Sequence, residues 1–145
     1  MSTAAAPIHA NRTAAVRSDP AAQAYLLMRI VFCVAPIVFG LDKFAGVLTD
    51  DWTRYLAPEF NDIIPGSAAT AMHIVGVVEI VAGLVVLLTP RWGSLLVAGW
   101  LAGIILNLLL VGGYGDIAMR DFGLLAGALA LNRLATAASA KALAA

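Results

Sequence analysis

Glu79 is the residue whose type and place most demand a chemical account. It stands near the middle of a long apolar run, where an ionised side chain costs on the order of 3 kcal/mol on insertion scales. Such a carboxylate is protonated, paired or turned toward a polar cavity. Arg29, one turn inside the first apolar run, and Asn107, in the third, are the groups that could reach it. One reading is a proton-handling or ligand-orienting group in a pocket at the centre of a bundle. The other is an inter-helix hydrogen bond that fixes packing. His73 completes the candidate pocket of Glu79, Asn107 and Arg29, but it precedes Glu79 by six residues. That is about 120° away around a helix, so the i, i+4 pairing of a metalloprotease is absent. His73 reads as a polar cap or as a proton-exchanging group. No other cluster has metal-ligand spacing, and no metal site is expected.

A second group of polar residues falls at the ends of the apolar runs. Asp42 and Lys43, Tyr114 and Asp116, and Arg120 and Asp121 should converge on one side by connectivity. Opposite charges at a bilayer boundary tend to pair, because partial desolvation strengthens their attraction. They form either a ring of ion pairs locking a rim, or a polar mouth above Glu79 that binds a small head group. Cys33 is the single cysteine. It excludes a disulfide framework, a thiolate zinc site and dithiol redox chemistry by this chain alone. In an apolar stretch it reads as a packing residue whose burial suppresses reactivity.

The elements that must position these residues follow from composition. The 145 residues are 61% apolar and only 12% charged, against roughly 45–50% and about 25% in ordinary soluble domains. Mean hydropathy is +0.90. These values exclude a water-soluble globular enzyme and a disordered chain. Nine basic residues balance nine acidic ones, which leaves no basic field for nucleic acid.

A membrane helix needs about 20 residues to cross roughly 30 Å of hydrocarbon. Four runs qualify, at about 25–44, 69–88, 93–112 and 121–138. The expected fold is all-α, a four-transmembrane-helix bundle with a short interfacial amphipathic segment between spans one and two. Residues 1–24 and 139–145 read as tails. Arg12, Arg17 and Arg29 precede twelve uncharged residues, 30–41, a length that a signal peptide shares. The run ends in Asp42-Lys43-Phe44 without a small-x-small site, so it reads as a retained helix.

Arg12, Arg17, Arg91 and Lys141, with Arg29 and Arg133 nearby, share the side of the termini, against Lys43, Arg54 and Arg120 opposite. That bias expects both termini in the cytoplasm. Close packing through small residues must hold the helices together. Gly99 and Gly103 in span three, Gly123 and Gly127 in span four, and Gly76 and Gly83 beside Glu79 in span two are the candidates. In the connection between spans one and two, Leu48, Trp52, Tyr55, Leu56, Phe60 and Ile63 recur at helical steps. That pattern expects an amphipathic helix lying in the headgroup region.

The ordered polar residues carry a resemblance. Phe39-Gly40-Leu41-Asp42-Lys43-Phe44, then Trp52 and Tyr55-Leu56-Ala57-Pro58, resemble the first span and following loop of the DoxX-like family of small four-helix membrane proteins. Gly76-x-x-Glu79-Ile80-x-Ala82-Gly83 and Trp100-Leu101-x-Gly103-Ile104-Ile105-x-Asn107-Leu108 continue it. Asp116-Ile117-Ala118-x-Arg120-Asp121 and Gly127-Ala128-Leu129-Ala130-Leu131 complete it over about residues 25–134. The resemblance implies a bacterial-type inner membrane and an association with oxidoreductase systems, some of them thiosulfate:quinone oxidoreductases. It implies no settled catalytic residues.

Two functions follow as expectations. The first is an accessory or anchoring subunit that docks a membrane or extracytoplasmic oxidoreductase partner. The second is a quinone-interacting component in which Glu79 and His73 exchange protons. Haem ligation is disfavoured, since the membrane holds one histidine without a partner. Solute transport is disfavoured because no inverted repeat or matching broken helices are present, although a homo-oligomer could build a pathway.

Overall fold

Asp19 opens the first membrane helix. Its carboxylate accepts the N–H of Ala21 at 2.9 Å, and Pro20 follows at the first helical position, where a missing N–H is harmless. The structure, a computed structural model, describes residues 19–64 and 66–143. Helix α1 runs Pro20–Ala45 and stops at Gly46, whose φ of +62° lets its N–H return to the Asp42 carbonyl at 2.7 Å. A connector follows, holding a 3-10 turn at Thr53–Tyr55 and the four-residue helix α2, Pro58–Asn61. Helix α3 spans Ala68–Leu88, capped by the Ser67 hydroxyl, which accepts the Thr70 N–H at 3.2 Å. Thr89 alone joins it to α4, Pro90–Val111, and Pro90 again stands at the first position. Gly112 and Gly113, at φ +75° and +78°, end α4. Helix α5 closes the chain as Gly115–Leu143.

All four long helices are long and apolar enough to cross a membrane. They alternate in direction, so the connector lies at one end of the bundle and Pro20 and Leu143 at the other. These are called the connector end and the terminal end. Helix α1 packs chiefly on α3 and α4 on α5, with lighter α3–α4 and α1–α5 contacts closing the ring. Phe32, Cys33, Ala82, Val86, Leu101 and Leu131 lie in the core. Leu27, Ile30, Leu88, Leu109 and Met119 point outward and are exposed, as a surface solvated by lipid requires.

Three boundary expectations change. Helix α1 starts at Pro20 rather than residue 25, because Asp19-Pro20 is a start signal in its own right. Helix α5 extends beyond 121–138 at both ends, since its alanine-rich end favours helix and leans on α1: Ala135 is buried and Lys141 reaches Asp19 at 3.6 Å. Of the expected tails, residues 20–24 and 139–143 are therefore helical, while 1–18 and 144–145 lie outside the described residues.

The connector is not one amphipathic helix. The backbone amides of residues 47–49 are drawn onto a carboxylate. Pro58 forces Ala57 into an extended conformation at ψ 141°. Only two short helical pieces survive between these constraints.

Candidate functional site

The site is built from the last turn of α1 outward. A carboxylate within a helix's last turn opposes the negative end of the dipole, so Asp42 needs a reason to be there. The connector supplies one. Asp42 accepts the N–H groups of Val47, Leu48 and Thr49 at 2.9, 2.8 and 3.2 Å, and the Trp52 indole N–H at 3.0 Å. It is only 4% exposed. The chain turns at Gly46 and wraps around this one side chain.

That wrapping places Trp52 over the neighbouring residue. Lys43 Nζ sits 4.0 Å from the centre of the Trp52 ring and donates to Glu79 Oε2 at 2.6 Å. Lys43 and Glu79 side chains are 4% and 10% exposed. Glu79 lies eleven residues into α3, about 16 Å along its axis, and Lys43 reaches down the bundle to meet it. Glycines permit this approach. A Cβ on Gly40 would stand 2.5 Å from the Gly76 carbonyl oxygen, one on Gly76 would stand 3.2 Å from the Lys43 Cβ, and one on Gly83 would stand 2.6 Å from the Cys33 carbonyl oxygen.

Further groups gather around the pair. The Trp100 indole N–H is buried without a hydrogen bond of normal geometry, yet it lies close enough to interact with the Glu79 carboxylate. Asp121 is buried within electrostatic reach of Glu79 and meets Arg120 Nε at 3.5 Å. On the connector, the Thr53 hydroxyl and N–H donate to Asp51 at 2.6 and 2.8 Å. These bonds hold its carboxyl below the usual carboxylate range.

Above the ion pair, a cleft of about 290 Å³ opens between the connector and the start of α3. Lys43, Phe44, Thr49, Trp52, Met72 and His73 are among its walls. Phe44 and His73 stack there, with ring centres 4.9 Å apart and planes 9° from parallel. The cleft is large enough for a small planar head group, and its aromatic wall meets a cation at the floor.

The residues expected to form one pocket are dispersed. Glu79 is partnered by Lys43, not by Arg29 or Asn107. Arg29 donates instead to the Leu87 carbonyl at the far end of α3. Asn107 clamps the connector: its Nδ2 donates to the Tyr55 carbonyl, and its Oδ1 accepts the Ala57 N–H at 2.8 Å. His73 stays near the site but on the cleft wall, off the face of Glu79, as its helical offset requires.

The expected rim does not form a ring of cross-helix ion pairs. Lys43 turns inward, Arg120 pairs with its own neighbour, and exposed Asp116 joins none of the ion pairs among the described residues. Tyr114 packs its ring 5.0 Å from that of Tyr55. Gly76, Gly83 and Gly127 make close helix contacts. Gly99, Gly103 and Gly123 face open space, with no heavy atom within 4 Å of a Cβ built there. They lie on the outward sides of α4 and α5, so these glycines do not pack helices within this chain. Gly93, whose Cβ would meet the Val86 backbone at 2.5 Å, does that work in the α3–α4 hairpin.

Sequence reasoning missed Asp42 as the organiser, Trp52 as the roof over Lys43, and Trp100 beside Glu79. One signal was available: an acidic residue four positions before a helix-ending glycine is electrostatically misplaced unless something donates to it.

No curated protein and no solved structure matches the chain. The family model named DoxX matches residues 24–113, covering α1 from its second turn, the connector, α3 and α4, and ending before α5. Four membrane-crossing helices and this match over more than half the sequence agree: the chain is a multi-pass membrane protein and belongs to the DoxX family.

Proposed function

We propose that this protein is an accessory or anchoring subunit of a membrane-associated oxidoreductase system, with the connector as its docking face. The observation that carries this reading is how the polar groups are spent. Asp42, Lys43, Glu79 and Asn107 all bind the connector or each other, so they fix a surface and are not left free for turnover. That surface exposes Asp50, Asp51, Glu59 and Asp62 around Arg54, an acidic face suited to a basic patch on a partner. Arg29, Arg91, Arg133 and Lys141 at the terminal end support a cytoplasmic location for both termini, which turns the connector to the opposite side of a bacterial-type inner membrane.

The test has two arms. Purified protein in nanodiscs, given a sulfur donor and a quinone, is expected to show no turnover. Joint neutralisation of Asp50, Asp51, Glu59 and Asp62 to Asn or Gln is expected to abolish co-purification of an oxidoreductase subunit in mild detergent, without loss of the folded bundle. Turnover by the isolated protein overturns the reading.

One observation favours a second reading. The Phe44–His73 stack beside Lys43 suits a quinone ring in the cleft, with His73 and Glu79 handling protons. This reading expects quinone to protect His73 from chemical modification, and expects Glu79→Gln to remove activity while the bundle stays assembled.

A further inference from the structure

The terminal end carries arginines that pair with no acid among the described residues. Arg29 sits level with the last turn of α3, where one terminal nitrogen donates to the Leu87 carbonyl. Its Nε is buried without a hydrogen-bond partner among the described residues. A guanidinium offers five donors, and a helix-end carbonyl supplies only a partial negative charge. Arg91 stands one residue into α4, with its guanidinium 5.4 Å from the centre of the Trp92 ring. Asn132 of α5 donates to the Arg91 carbonyl at 2.7 Å, and this bond brings exposed Arg133 to the same level. Three arginines on three helices thus share one depth.

Acids do not answer them. Among the described residues the only acid at this end is Asp19, which is held by Lys141 at 3.6 Å and by the Ala21 N–H. Shape adds to the charge. Helix α5 continues from Arg133 to Leu143, and α1 begins nine residues before Arg29, so both stand about 14 Å beyond the level of these arginines, past the short α3–α4 turn. The turn is the floor of a ledge, and the arginines lie at its foot, where Trp92 is 63% exposed. Tryptophan and arginine together mark the headgroup level of a bilayer.

We propose that this ledge binds the phosphate of an anionic lipid, whose headgroup supplies the counter-charge to Arg29, Arg91 and Arg133. Guanidinium groups match phosphate oxygens in paired hydrogen bonds. The lipid's chains lie along the apolar helices below. The site stands apart from the connector and does not depend on the oxidoreductase reading.

Native mass spectrometry of the full chain, released from mixed phosphatidylglycerol and phosphatidylcholine micelles, tests it. Wild type is expected to retain phosphatidylglycerol preferentially. Each of Arg29→Gln, Arg91→Gln and Arg133→Gln is expected to cut that preference about fivefold, whereas Arg54→Gln at the connector end leaves it unchanged. Should Arg29→Gln fail to assemble, the exposed Arg91 and Arg133 variants decide. Equal retention of the two lipids, or an unchanged preference in the arginine variants, overturns the proposal. Displacement of the bound lipid by millimolar inorganic phosphate also overturns it, because the site would then be one for a soluble anion.

Discussion

Two charges in a membrane are tolerable here because each is the other's counter-ion, and each has a further neighbour. Lys43 lies between the Glu79 carboxylate and the Trp52 ring. Removing one member of such a pair leaves an uncompensated buried charge, whereas removing both leaves an apolar contact. Lys43→Met is therefore expected to destabilise the bundle by about 3 kcal/mol, and Lys43→Met with Glu79→Leu to recover most of that loss. A double-mutant cycle by denaturant titration in detergent measures both. Asp42 predicts a local effect. Asp42→Ala removes the acceptor of four hydrogen bonds and is expected to loosen the connector. Faster proteolysis within residues 47–53 and a red-shifted Trp52 emission are the expected signs. Asp51 adds a pH dependence. Its carboxyl is held below the usual range by Thr53, so its support for the turn is present at neutral pH and disappears as pH falls through that lowered value. Thr53→Val should move the onset of this loosening to higher pH, as read by NMR of the connector amides.

At the scale of elements, the glycines divide by what lies opposite them. Helices α1 and α3 touch backbone to backbone at Gly40, Gly76 and Gly83. A methyl group there meets carbonyl oxygens that cannot move aside without separating the helices. Gly40→Ala or Gly83→Ala is expected to destabilise by about 1–3 kcal/mol. Gly99→Ala, Gly103→Ala and Gly123→Ala point into open space and should be neutral, or stabilising by up to about 1 kcal/mol through helix propensity. Thermal unfolding of the six single variants, Gly76→Ala included, tests the division, and equal effects in both groups would refute it. The periodic apolar residues of the connector invited a helix. Two features cancelled it: the capture of three amides by Asp42 and the proline at 58. Neither is visible to a periodicity argument, because one is a tertiary contact and the other acts on the residue before it.

For the whole molecule, four crossings place the connector and the two chain ends on opposite membrane faces. In a Cys33→Ser background, Asp50→Cys and Ala137→Cys should be labelled by an impermeant maleimide from opposite sides. Labelling of both from one side would break the topology. Cys33 itself, buried in the core, should resist the same reagent until the bundle unfolds.

Hydropathy and length alone determined that the chain is helical, crosses the membrane four times and turns sharply at Thr89-Pro90, because a continuous apolar run of about 20 residues satisfies its backbone in lipid as a helix. The same reasoning singled out Glu79, since charge inside an apolar run needs a partner, and it placed Asp42 and Lys43 among the polar residues at the ends of the runs. Which partner was another matter. Arg29 and Asn107 were the partners that helix position offered, whereas Lys43, 36 residues from Glu79, was assigned to the rim. Only the close approach of α1 to α3 at Gly40 and Gly76, and the wrapping of the connector about Asp42, decided the pairing. Contacts between helices depend on rotation and depth, and a one-dimensional pattern of residues carries neither.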